Sequence, residues 1–518
     1  MGEQLSRRSF IGGALAAGAG LVSAGALSAC SGSAAAAQGP GVPAQWDKEA
    51  EFVVLGSGCA GMYAAIEAAD WGLSVLMLEK QPEETAGGDS RCNAAYFPKA
   101  SVDANLTMGI NSFGEASEDW AYEIEDEGMA AIDWLIDHGC EWIDQPYGFM
   151  KGYGPSVYAA LRDAMYEAGV EVLYETPAKE LIQNASGEVI GVKAEANGEL
   201  INVKAKKGVL IATGSYTCNK QMISDFHLPG LDLYSIGSPF LTGDGLIMAG
   251  NIGAKLSKLS KGLEFMTLVS KKASEEIGTG IFCNAPVTAT MIYVNGHGKR
   301  FMDEYTSLTH SKSTLPLFAF SGSMVECRSA TAHYDNEVIY EIVDQAAFDS
   351  GSLGNAGSSC SWAMFFDADN YGYVWSYDNQ EELKKGWIVK ADTIEALAQT
   401  IGLNPQVLAE TVQTYNDGCA AGIDEFGRNA SNLAPLGEGP YYAIEVAPSI
   451  IYTIGGLTTD DWGRTLNWNN EPIPRLYSAG NVGNSSIYLQ PLAVNGSMAQ
   501  GIIAARDVIE LDSWDERD

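Results

Sequence analysis

The chain has 518 residues, 46% apolar and 19% charged, enough for two or three domains with full cores and unlike a disordered polypeptide. Its 66 acidic against 31 basic side chains leave a net charge of −35, which repels nucleic acid and anionic lipid, so an anionic ligand needs a locally positive site. Nine cysteines with no C-x-x-C pair exclude zinc-knuckle, haem c and redox C-x-x-C motifs; with five histidines besides, no metal centre is expected.

At the N-terminus, SRRSF at 6–10 is followed by an apolar, small-residue stretch over 11–29 that ends in LSAC at 27–30. The pattern resembles a twin-arginine export signal with a lipoprotein cleavage box. It predicts a signal peptide over 1–30 and a lipid anchor on Cys30, with a flexible tether over 31–46. The protein is then expected on the extracytoplasmic face of the cell membrane. Twin-arginine export carries folded proteins, which suits a chain that loads a cofactor first. No later apolar run reaches the roughly 18 residues that a membrane helix needs.

Residues 50–80 read as a βαβ unit. FVVL is a buried strand, and Gly56, Gly58 and Gly61 form G-x-G-x-x-G. MYAAIEAADWG is a helix, and SVLMLEK is a second strand ending in Glu79. Gly56 permits the tight turn, Gly58 lets amides approach a pyrophosphate, and Gly61 lets helix and strand pack closely. Glu79 is placed to accept hydrogen bonds from a ribose. Next comes PEETAGGDSR, whose Gly87, Gly88 and Ser90 are candidates to line the pyrophosphate side. KKGVLIATGSY at 206–216 is a strand running into Ala212, Thr213 and Gly214.

VNGHGKRFMDE at 294–304 is a glycine-rich turn that delivers Lys299 and Arg300 beside two carboxylates, Asp303 and Glu304. Residues 391–422 have helical spacing, with Asn404-Pro405 punctuating a turn. IPRLYSAGN at 473–481 repeats the strand-into-glycine design, and a helix follows from Asn495. Contacts drawn from both ends of the chain favour an extended FAD over a detachable nicotinamide.

Taken in order, GSGCAG with Glu79-Lys80, AGGDS, ATGS, TGDGLIMAG at 242–250, VNGHGKRFMDE, GPYYAIE at 439–445, TIGGLTTD and LYSAGN resemble the landmarks of the fumarate reductase/succinate dehydrogenase flavoprotein superfamily. The likeness runs from residue 47 to 510, nearest to exported fumarate reductases of flavocytochrome c type, urocanate reductases and 3-ketosteroid dehydrogenases. It implies an α/β fold: a split Rossmann-like FAD-binding domain over 47–262 and 451–518, with an inserted α+β clamp domain over 263–450. It also implies non-covalent FAD held by Gly56, Gly58, Ala60, Gly61, Glu79, Lys80, Gly87, Gly88, Ser90, Ala178, Ala212, Thr213, Gly214, Asp244, Gly480, Asn481, Ser497 and Met498.

The family's reaction exchanges a hydride at flavin N5 and a proton at the neighbouring carbon of an activated C=C bond. Through the resemblance, Arg300 is expected to give that proton, with Glu304 beside it; the alternative is a surface turn in which Arg300 only pairs with Asp303 or Glu304. Departures from the fumarate pattern point to another acceptor. Tyr452 stands where fumarate reductases keep a histidine, residues 484–497 lack their arginine, GLEFMTLVS at 262–270 replaces a further motif, and Asn284 and Val287 stand in a charged relay. Losing these charged hydrogen bonds weakens the hold on a small dianion by several kcal/mol (~3–6). With Tyr452, Tyr488 and Phe265 as the remaining candidates, a larger, less charged enoate or enone is expected.

Electrons are expected from an external donor, a membrane-associated cytochrome or small redox carrier. Two alternatives stay open: a 3-ketosteroid-type dehydrogenase running the chemistry in reverse, and a catalytically silent flavin- or ligand-binding lipoprotein.

Overall fold

The computed structural model describes residues 41–93, 96–97, 118–145, 147–226, 233–263, 268–281, 283, 290–304, 334–354, 373–450, 453–483 and 494–516. Two sheets organise them. The larger has eight strands, and its parallel centre runs in the order Pro472–Ser478, Glu199–Ile211, Lys48–Leu55, Val75–Leu78, Glu171–Leu173. Phe52 to Leu55 sit in register with Val75 to Leu78 on one side and Gly208 to Ile211 on the other. Both faces of these strands are covered, which explains the unbroken apolar runs. Phe52, Val54, Met77 and Leu210 pack into a core with the helices Cys59–Asp70, Glu118–Asp137 and Asn495–Ile509. Val53, Leu55, Leu76, Val209 and Ile211 enter a second core on the opposite face.

The second sheet is centred on the strand Tyr441–Ile450. It pairs antiparallel with Ile339–Val343, Leu268–Ser270 and Ile388–Ala391, and parallel with Tyr234–Ser235; Met291–Asn295 extends it from Ile339–Val343. Alternation again feeds two cores. Tyr293 and Ile444 face one, while Ile292, Val294 and Ala443 face the helices Ile394–Ile401 and Pro405–Ala421. The predicted helical stretch 391–422 is thus two helices. Asn404 separates them, its side chain accepting from the amides of Gln406 and Val407 with Pro405 in the first turn. An antiparallel ribbon, Leu256–Leu263 with Thr453–Leu457, lies where the expected domain boundaries fall. Tyr234–Ser235 joins the second sheet although it precedes residue 262. No helix among the described residues is long and apolar enough to cross a membrane.

Candidate active site

The glycine turn follows directly from the first strand. Gly56 adopts φ 100°, and a Cβ there would lie 2.6 Å from the Ala212 carbonyl oxygen. A Cβ on Gly61 would lie 2.2 Å from the Gly56 carbonyl oxygen, so the third glycine permits the helix to sit on its own turn. Glu79, buried at the end of Val75–Leu78, accepts from the Ser57 amide at 2.9 Å and the Ser57 hydroxyl at 2.7 Å. Its other oxygen takes the Gln81 amide at 2.8 Å. Ser90 Oγ accepts from the Cys59 amide at 2.8 Å, so the loop carrying Gly87 and Gly88 closes over the first turn of Cys59–Asp70. Gly58, the helix N-cap, would bring a Cβ within 3.4 Å of that same oxygen.

The other predicted cofactor residues converge on this region. Lys80 Nζ donates to Thr242 Oγ1 at 2.8 Å and pairs with Asp244 at 2.9 Å. Thr176 donates its amide to the Glu79 carbonyl at 2.8 Å, which places the start of the Ala178–Gln183 strand beside Glu79. Ala212 continues Glu199–Ile211, its amide bonded to the Leu55 carbonyl at 2.9 Å, and Thr213 and Gly214 follow. Gly480 adopts φ 74°; its Cβ would lie 3.2 Å from that of Ala60 and 3.8 Å from Ser497 Oγ. Asn481 shares the turn Gly480–Val482, and Met498 is buried in the first turn of Asn495–Ile509. A Cβ on Gly501 would lie 2.2 Å from the Ala60 carbonyl oxygen, so Cys59–Asp70 and Asn495–Ile509 touch backbone to backbone.

Thr213 Oγ1, Ser215 Oγ and Asn495 Oδ1 are buried without a hydrogen-bond partner among the described residues. Unmet polar groups beside glycines and the amino ends of two helices are what an anionic dinucleotide satisfies, so the residues present fit FAD.

Arg300 has a different setting from the one its motif suggests. The turn before it is closed by Asn295, whose side-chain oxygen accepts from the His297 and Lys299 amides, both at 3.1 Å. Thr411 of Pro405–Ala421 donates to the Gly298 carbonyl at 2.7 Å, pinning the turn to that helix. The turn therefore aims the guanidinium into the interior of the clamp. Arg300 Nε and Nη2 donate to the two oxygens of Glu304 at 2.9 and 2.7 Å, and Nη1 donates to Asp424 at 2.7 Å. Its plane lies over Tyr415, 4.5 Å from the ring centroid.

Glu304 also accepts from the Tyr293 amide at 3.0 Å, satisfying a donor on an edge strand, and from Arg428. Arg428 in turn reaches Asp303 at 3.3 Å and the Tyr415 hydroxyl at 2.9 Å. Burial pulls the Arg300 pKa down, but Glu304 and Asp424 outweigh it and the net shift is upward. Burial likewise raises Asp424, and the Arg300 partner more than reverses it, holding that carboxyl below its usual range. A guanidinium so held gives up its proton less readily than a free one.

Arg428, Asp424 and Tyr415 were not anticipated from the sequence; the D-x-x-x-R spacing of 424–428 is the one local signal they leave. Tyr452, Tyr488 and Phe265, together with Asn284 and Val287, lie outside the described residues.

A doubly covered parallel sheet, glycine turns at its strand ends and a second sheet built into the same chain are the parts of a flavin-dependent oxidoreductase with a capping domain, the class to which the family match assigns it. The chain belongs to the FAD binding domain family within the fumarate reductase/succinate dehydrogenase flavoproteins: the family pattern matches residues 149–495, and that of the FAD dependent oxidoreductases matches 51–214. Its cofactor is FAD. Vinyl phenol reductase of Lactiplantibacillus plantarum is 28% identical over 83% of this chain and 89% of its own. Digoxin reductase of Eggerthella lenta is 25% identical over 99% and 98%. Urocanate reductase of Eggerthella lenta is 26% identical over 85% and 71%.

Solved structures share the fold, two of them as follows. The open conformation of a flavocytochrome c3 fumarate reductase superposes with a TM-score of 0.68 at 21% identity, over 90% of this chain and 79% of that one. The 3-ketosteroid delta1-dehydrogenase of Sterolibacterium denitrificans gives 0.67 at 21%, over 89% and 99%.

Proposed function

We propose that the protein reduces the activated C=C bond of an organic acceptor, an enoate or enone larger and less charged than fumarate. The observation that carries this reading is similarity along most of the chain to reductases named for vinyl phenol and digoxin, neither a small dicarboxylate. The sequence departures at Tyr452 and across 484–497 agree with it. FAD, once bound and reduced by the electron donor, would supply the hydride. The chain's part is to hold the cofactor between the glycine turn and the first turn of Asn495–Ile509, and to close the clamp over it, the division at 262/263 and 450/451 being part of the proposal.

Arg300 is assigned to bracing the clamp, and the proton to another donor, because all three of its nitrogens are engaged by carboxylates. Export through the twin-arginine signal, anchoring at Cys30 and electron supply by a separate redox protein complete the reading, supported by Arg7, Arg8 and LSAC at 27–30. The test is to purify the FAD-loaded protein, reduce it without oxygen and add fumarate, urocanate, vinyl phenols, cinnamates and enones in turn. Rapid flavin reoxidation by an aromatic or polycyclic acceptor supports the reading. Fastest reoxidation by fumarate, or turnover only in the direction that oxidises a ketosteroid, overturns it.

A further inference from the structure

Asp89 lies in the flavin-side loop, between Gly88 and the Ser90 that holds the amino end of Cys59–Asp70. Its Oδ1 accepts from the Ser238 amide at 2.9 Å. The neighbouring position is shaped for that carboxylate, since a Cβ on Gly237 would stand 2.1 Å from Oδ1. The segment 235–238 belongs mechanically to the clamp. Tyr234 and Ser235 pair with Ser449 and Ile450, the Ile236 amide donates to the Ile450 carbonyl at 3.0 Å, Thr279 Oγ1 donates to the Gly237 carbonyl at 2.8 Å, and the Gly280 amide donates to the Ser235 carbonyl at 2.6 Å. One carboxylate therefore joins a loop fixed to the cofactor helix with a segment fixed to the second sheet.

We propose that Asp89 is a positioning residue: through the Ser238 amide its carboxyl group latches the flavin-side loop to the clamp sheet, and ionisation loosens the latch. The inference does not depend on which acceptor is reduced, so its failure leaves the proposed function standing.

Among the described residues, the groups facing Asp89 leave its charge unpaired. Cys92, on its own loop, directs its thiol to the same oxygen at 3.9 Å, and Cys218, after Glu199–Ile211, lies close by with its thiol on the Ser238 carbonyl at 3.4 Å; burial pushes both thiols up, so both stay neutral. Arg91 turns away, donating to the Glu84 carbonyl and lying over Tyr158. From the clamp side, Ser235 and Thr279 are uncharged. Burial raises the Asp89 carboxyl, the Ser238 amide pulls it partly back, and it ends at about 7. Above that pH the Ser238 hydrogen bond is charge-assisted, but burying the charge costs more than the stronger bond returns, as the net upward shift shows.

The linked stability of the whole fold has the same sign. The folded value exceeds that of a free carboxylate, so the native state binds the proton more tightly, and this group's contribution to stability falls as pH rises from about 4 to about 7.

The test is hydrogen exchange of the full FAD-loaded chain at about pH 6 and pH 8, corrected for intrinsic rates, for wild type, Asp89→Asn and Asp89→Ala. In wild type, residues 233–241 are expected to exchange about tenfold more slowly at the lower pH, the factor that linkage gives for a carboxyl at about 7 when buried and about 4 when exposed. Asp89→Asn, which keeps an acceptor without the charge, loses that pH dependence, and Asp89→Ala exchanges fast at both. The pH profile of flavin reoxidation loses its ionisation near neutrality in Asp89→Asn. Should Asp89→Ala not fold, wild type against Asp89→Asn decides. The proposal is overturned if Asp89→Asn keeps the wild-type pH dependence, or if folded Asp89→Ala protects the segment as well as wild type does.

Discussion

Two guanidiniums, Arg300 and Arg428, are buried with three carboxylates, Asp303, Glu304 and Asp424, and every nitrogen of both donates at least one hydrogen bond within the cluster. Buried charges tolerate such a setting when paired and punish the removal of one partner. Arg300→Ala strands Glu304 and Asp424 and is expected to cost about 3–5 kcal/mol in chemical denaturation. Arg300→Lys keeps the charge but loses the two-pronged grip on Glu304, so it should fall between. An Arg300→Ala protein with wild-type stability and abolished acceptor reduction would restore the arginine as proton donor.

Asp424 supplies a pH test at the same scale. Its folded-state value is depressed, so its stabilisation is present above the ordinary carboxylate pKa and is lost as pH falls through the folded value. Acid unfolding that steepens below about pH 4 in wild type should be shallower in Asp424→Asn.

Among the elements, the contact between Cys59–Asp70 and Asn495–Ile509 matters most for the cofactor, because it brings two helix amino ends to one place. A methyl at Gly501 meets the Ala60 carbonyl, so Gly501→Ala should part the helices, cost about 1–3 kcal/mol and lower FAD retention through gel filtration. Unchanged retention would show that the helices need not touch. The glycine turn was legible in the sequence because its logic is local: strand, glycines and helix follow one another, and Glu79 ends the next strand. The two helices around Asn404-Pro405 were legible for the same reason. The clamp network was not, since Arg300 and Asp424 stand 124 residues apart, and Asp89 and Ser238 stand 149 apart. A motif showed that Arg300 follows a turn, but only the position of Pro405–Ala421 decides that the turn faces inward.

For the whole molecule, charge and fold act together. A net charge of −35 favours a cationic electron donor, so its rate of flavin reduction should fall steeply as ionic strength rises, while a small uncharged reductant should be little affected. Equal salt responses would remove electrostatic steering from the account.

The central claim is that the fold brings FAD to the double bond of an uncharged or weakly charged conjugated acceptor. It is tested most directly by mixing anaerobically reduced protein with one equivalent of such an acceptor and weighing the product. The account predicts loss of one C=C bond and gain of two carbon-bound hydrogens per flavin reoxidised. Flavin that stays reduced with every conjugated acceptor, or a protein that binds no FAD, would contradict it.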